Sequence, residues 1–132
     1  MAAAVVVAAK KLRRPVRMQL SRNDDLIMTG KRHPYKNNYK VGFDVNGKIS
    51  SLQVTFYSMG GYCHDASLGC MDMTMMWADN CYYFENYSIV SNVCRTNHPS
   101  NTACRTPGAA QGIFTIECVL DHVAAGAFPY HL

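Results

Sequence analysis

The chain opens on an apolar run, Ala2 to Ala9, which passes into Lys10 and Lys11 and meets a proline at Pro15. Alanine-rich sequence ending in cations suits a helix with its negative dipole end at the basic residues, and proline stops it. A helix is predicted over Ala2 to Lys11. No Ser, Thr, Asp or Asn cap precedes it and buried-looking residues follow Met1 directly, as in a chain that begins inside a helix. Val16 to Leu20 alternates apolar and polar positions, which predicts a short strand, and Arg22 to Asp25 is turn material. Tyr39, Val41, Phe43 and Val45 share one face at period two; Asn46-Gly47 supplies hairpin-turn residues; Leu52, Val54 and Phe56 alternate on the return. A β-hairpin is predicted here, its second strand ending at Gly60-Gly61. Methionine-dense Cys70 to Trp77 reads as helix, and Tyr87 to Cys94 as a strand leading into the polar loop Thr96 to Thr102.

Ile113, Ile116, Leu120 and Val123 form a stripe at helical spacing, so a last helix is predicted over roughly Gly108 to Ala124. Its start carries candidate chemistry. Thr106 reads as the N-cap, Pro107 as the first helical residue, and Arg105 lies just before them. Unpaired amides, the positive dipole end and a guanidinium together make an anion site. The alternative from the same residues is an ordinary cap with Arg105 in a surface ion pair. The whole pattern predicts an α+β fold, a β-hairpin and short strands packed with helices.

Length and composition narrow the classes. One hundred and thirty-two residues make one domain, and 48% hydrophobic with 17% charged residues is too apolar for disorder. No apolar run approaches the ~18 residues of a membrane span, so no membrane partner is expected. Residues 1 to 48 hold eleven Lys/Arg against three Asp, while 49 to 132 hold two Arg against six acids. The basic half lacks a recognised motif or an aromatic-basic array, so no nucleic-acid partner is expected. The apolar N-terminal stretch is followed by its basic cluster, the reverse of a secretory signal, which predicts a cytoplasmic chain with Cys63, Cys70, Cys81, Cys94, Cys104 and Cys118 as free thiols. No CxxC pair exists, and a zinc site would have to use scattered ligands such as Cys63, His64 and Cys70; no metal site is expected.

Several segments resemble one family in order. RPVRMQLSRNDDLIMTGKRHPY at 14–35, YKVGFDVNGKI at 39–49, DNCY at 79–82 and CRTNHPSNTACR at 94–105 are similar to the molybdopterin-binding region of the molybdenum hydroxylases, the xanthine dehydrogenases and aldehyde oxidases. The register continues through Gln111 and Glu117, and the resemblance covers about residues 2–124. It implies that 1–132 is a single partial molybdopterin-binding domain of an oxidoreductase, a fragment or truncated paralogue of an enzyme that hydroxylates aldehydes or N-heterocycles. The alternative is a non-catalytic interaction module, or pseudoenzyme, derived from that domain.

The resemblance also implies site residues. In the family, the loop matching Asn101 to Gly108 lies against the molybdenum-molybdopterin cofactor, which makes Ala103 and Arg105 the cofactor contacts. Met73 falls where xanthine-oxidising members carry a substrate-orienting arginine and aldehyde oxidases an apolar residue. This favours an aldehyde-oxidase-like pocket; equally, Met71, Met73, Met75 and Met76 read as adaptable core filling. The loop departs from the family's A-F-R-G-F-G. Here it reads Ala103-Cys104-Arg105-Thr106-Pro107-Gly108. Pro107 replaces a phenylalanine of the substrate pocket, and Thr106 replaces a glycine, which matters if φ is positive there. Cys104 beside Arg105 is either a reactive or a buried inert thiol.

The family's glycine-rich GGFGGKE-type segment and its general-base glutamate are absent from these residues, and Glu117 matches a helix position beyond the loop. No catalytic residue is therefore assigned, and the isolated chain is expected to be inactive. Cluster-type cysteine spacing and a dinucleotide fingerprint are also absent. FAD and 2Fe-2S clusters are thus expected in the parent's remaining domains, with a homodimeric parent also implied by the resemblance.

Overall fold

The structure, a computed structural model, describes residues 1–128. Its elements in chain order are α1 (Ala2–Leu12), α2 (Arg22–Met28), β1 (Tyr35–Phe43), β2 (Ile49–Gly61), α3 (Ser67–Trp77), β3 (Tyr87–Arg95) and α4 (Ala109–Ala127). The α+β class holds. The three strands form one sheet in the order β1-β2-β3. β1 pairs antiparallel with β2, Tyr39 opposite Val54, and β3 pairs parallel with β2, Ile89 opposite the same Val54. A parallel neighbour demands a crossover, and α3 supplies it.

Alternation sets the faces. Leu52, Val54 and Phe56 of β2 point to one side and are fully buried beneath Met71 and Ala78 of α3 and Ile116, Val119 and Val123 of α4. Each such burial contributes about 1.5–3 kcal/mol. On the other side Lys36, Asn38, Lys40 and Gln53 are exposed. The two helices meet at Gly112, where an added Cβ would stand 2.6 Å from Thr74 O and 3.3 Å from Ala78 Cα. A glycine here is a packing requirement.

Four expectations change. Val16 to Leu20 forms no strand, because no partner strand lies beside it. Arg22 to Asp25 opens α2 instead of a turn: Ser21 caps it, its Oγ accepting the Asp24 N–H at 3.2 Å and donating to the Asp24 carboxylate at 2.7 Å. Val45 leaves the strand for the hairpin turn and is 85% exposed. There Asp44 Oδ1 accepts from the N–H groups of Asn46 and Lys48, so a carboxylate organises a turn wider than Asn46-Gly47 alone. The N-terminal helix forms and ends on Arg13 at φ 49, but it buries no residue and packs against no other element. No described helix is long and apolar enough to cross a membrane.

Candidate functional site

The connection from β3 to α4 has two halves of different character. The first is stitched down. Thr96 N–H donates to Gly61 O, Tyr62 N–H to His98 O, Asn101 N–H to Gly60 O and Thr102 N–H to Lys31 O, all at 2.9–3.1 Å. Buried Asn101 adds its Nδ2 to Met59 O at 2.8 Å. Two glycines permit the approach: a Cβ on Gly61, at φ 91, would lie 2.5 Å from Pro99 O, and one on Gly30 would lie 2.6 Å from Ser100 O.

The second half, Ala103 to Gly108, is held differently. Arg105 at φ 26, Thr106 at φ 55 and Gly108 at φ 75 turn the chain sharply into α4. Gly108, not Thr106, is the N-cap residue, and Ala109, not Pro107, begins the helix. Thr106 thus lies two residues before the N-cap position, and no side chain caps α4. Gly108 touches α3 so closely that a Cβ would fall 1.8 Å from Cys70 O. Tyr35 OH hydrogen-bonds Thr74 Oγ1 at 2.8 Å, and the Thr74 hydroxyl faces both Cys70 O and Gly108 O.

Among the described residues, the backbone N–H groups of Ala103, Cys104, Arg105, Thr106 and Gly108 have no hydrogen-bond partner, and the Arg105 guanidinium has neither a hydrogen bond nor an ion pair. The surface ion pair weighed for Arg105 is not formed. A run of unsatisfied donors beside a free guanidinium is chemistry that takes an acceptor-rich, anionic group. A phosphate-bearing pterin fits this donor set. Ala103 and Arg105 are exposed and Pro107 half-buried. Met73, half-buried, precedes Thr74 on α3, the residue that meets Gly108; Met71, by contrast, is core. Cys104 is partly buried, and all six cysteines are free. No group of three or more His, Cys, Asp or Glu side chains among the described residues is arranged to hold a metal ion.

The sequence matches the molybdopterin cofactor-binding domain family over residues 1–127. The chain belongs to that family. It is 48% identical over 120 residues to the xanthine dehydrogenase/oxidase of Gallus gallus, 91% of this chain and 9% of that protein. It is 43% identical over 120 residues to the nicotinate hydroxylase of Emericella nidulans, again 91% and 9%. The solved aldehyde oxidoreductase of Desulfovibrio gigas superposes with a TM-score of 0.73 at 27% identity, covering 95% of this chain and 14% of that one. The chain thus spans about a tenth of the length of the relatives it matches.

Within this molybdopterin-binding unit, residues outside the expected set shape the loop. Arg32 donates from Nη2 to Arg105 O at 2.5 Å and from Nη1 to Thr106 O at 3.3 Å. Neighbouring His33 is buried, its Nε2 paired with Ser67 Oγ at 2.8 Å, and its carbonyl accepts from Gln111 Nε2 at 3.4 Å. Desolvation lowers its pKa below the ordinary imidazole value, against a smaller opposing pull from Asp65. Glu117 accepts from Asn80 Nδ2 at 2.8 Å and Tyr82 OH at 3.0 Å, tying the DNCY segment to α4. That bond, first, raises the Tyr82 pKa. Nothing in spacing or composition separates Arg32 from the other cations of the basic half; only its place in GKRHP, just before a strand, marks it.

Proposed function

We propose that this chain is one cofactor-contacting segment, a partial domain, of a cytoplasmic molybdenum hydroxylase. In that reading, Ala103 and Arg105 hydrogen-bond the molybdenum-molybdopterin, and Met73 and Pro107 line the substrate pocket. The observation that carries it is the set of five unpaired amides beside the unpaired Arg105 guanidinium. When bound, the cofactor supplies the two-electron oxidation of a substrate carbon. This chain's residues bind and orient: the amides and Arg105 neutralise anionic acceptors, while apolar Met73 and Pro107 shape the cavity and exclude water. Other domains of the parent carry the general base, FAD and 2Fe-2S clusters. The substrate class is an aldehyde or neutral N-heterocycle more than xanthine, because a thioether cannot donate to a purine oxygen. The predominance of xanthine dehydrogenases among the relatives pulls the other way, and Met73 is the residue that argues against xanthine.

A chimera tests the reading. This chain replaces the matching 120 residues of the Gallus gallus enzyme, and molybdenum and pterin are measured after purification from a cofactor-making host. The chimera should carry both, and Arg105→Ala should lose most of them at unchanged expression. Full retention in Arg105→Ala contradicts the assignment. A second reading, a pseudoenzyme that keeps the scaffold as an interaction module, draws on Thr106, a β-branched residue at φ 55 within the loop. It requires that the chimera be cofactor-free even with Thr106→Gly.

A further inference from the structure

The guanidinium of Arg32 forks onto two consecutive main-chain carbonyls, those of Arg105 and Thr106, seventy-odd positions away in sequence. Both accepting residues sit at positive φ, backbone that side-chain-bearing residues rarely adopt, and neither has another intramolecular bond at its carbonyl except the long 3.4 Å contact from Ala110 N–H to Thr106 O. We infer that Arg32 is the positioning residue of the loop: it pins these two carbonyls on its own side and thereby aims the Thr106 N–H, one of the loop's free amides, at the cofactor. This rests on the reading that the loop contacts the cofactor.

The geometry follows from peptide planarity. In a trans peptide the C=O and the following N–H point in opposite directions, and none of the bonds here is cis. Holding Arg105 O toward Arg32 therefore turns the Thr106 N–H away from it, into the set of unpaired donors. Thr106 O is followed by Pro107, which has no N–H, so the second prong fixes the chain direction into Gly108 without hiding a donor. The base of the clamp is itself anchored, since Thr102 N–H donates to Lys31 O and Gln111 Nε2 to His33 O on either side of Arg32. A planar five-donor fork can serve two carbonyls at once; an ammonium on a flexible stem holds neither in a fixed direction. Arg32 is exposed, so its removal leaves the core untouched.

The test uses the 132-residue chain with no cofactor. Trypsin requires an extended, accessible segment, so the rate of cleavage of the Arg105–Thr106 bond, followed by mass spectrometry, reads how firmly the loop is held. Arg32→Ala should raise that rate at least about tenfold, the loss expected for even one charge-assisted hydrogen bond at the low end of its range. Arg32→Lys should fail to restore it, and thermal unfolding of both variants should match the parent chain. An unchanged rate in Arg32→Ala, a rate restored by Lys, or a rise accompanied by a lower unfolding temperature overturns the proposal. Cofactor plays no part in this measurement. A failure of the cofactor reading is seen separately, as full pterin retention in the Arg105→Ala chimera.

Discussion

Thr106 is the residue at which this loop is most at odds with its own chemistry. At φ 55 its branched Cβ crowds the backbone, a conformation costing side-chain-bearing residues about 1–2 kcal/mol that glycine escapes. Thr106→Gly should therefore raise stability by about 1 kcal/mol, read as a higher urea midpoint at constant slope; a lower midpoint would mean that the threonine makes an unseen compensating contact. His33 supplies a pH dependence. Burial lowers its pKa, so the unfolded chain, titrating near the ordinary value of about 6.5, binds more protons than the folded one between the two values. Its contribution is complete above that ordinary value and is lost as pH falls through the lowered one. The unfolding temperature should drop on acidification below about pH 6.5, and His33→Gln, which keeps a neutral partner for Ser67, should flatten that drop. An equal drop in the variant would assign the effect to other groups.

Between elements, the tightest contact is helix on helix. Gly112 lets α4 lie against Thr74 and Ala78 of α3, whereas Gly69, on the outer side of α3, has nothing within 4 Å of its missing Cβ. Gly112→Ala should cost about 1–3 kcal/mol by overpacking, while Gly69→Ala should stabilise by roughly 0.5–1 kcal/mol through helix entropy. Urea unfolding of both variants checks the pair, and equal effects would contradict the packing described. The hairpin and α3 were legible because alternation and local composition report burial directly. α2 was not, since Ser21 and Asp24 are equally turn formers and helix caps, and only the 3.2 Å capping bond decides between them. The parallel pairing of β3 with β2 left no local trace, being set by the crossover through α3. At the loop, Arg105 stood out beside a helix start, yet the cap was misplaced by two residues. The left-handed backbone at Arg105 and Thr106 has no signature in residue types that normally avoid it.

The molecule as a whole is a small sheet with two helices on one face, delivering a donor-rich loop at one end and representing about 9% of its Gallus gallus relative. Such a loop grips an acceptor from one side only, so the isolated chain is expected neither to retain molybdopterin nor to turn over substrate. Substrate choice belongs to this scale as well. In the chimera, kcat/KM should favour a simple aldehyde over xanthine, and Met73→Arg should raise the xanthine value by roughly 30- to 1,000-fold, the worth of a charged donor in a buried polar pocket. If xanthine is the better substrate before that substitution, Met73 does not line the pocket. The central claim, that residues 103–108 face the cofactor, is tested most directly by an experimental structure of the cofactor-loaded chimera. The account predicts pterin or phosphate acceptors within about 2.7–3.2 Å of the Ala103 to Thr106 amides and the Arg105 guanidinium; a cofactor held wholly by other segments, with these donors facing solvent, would contradict it.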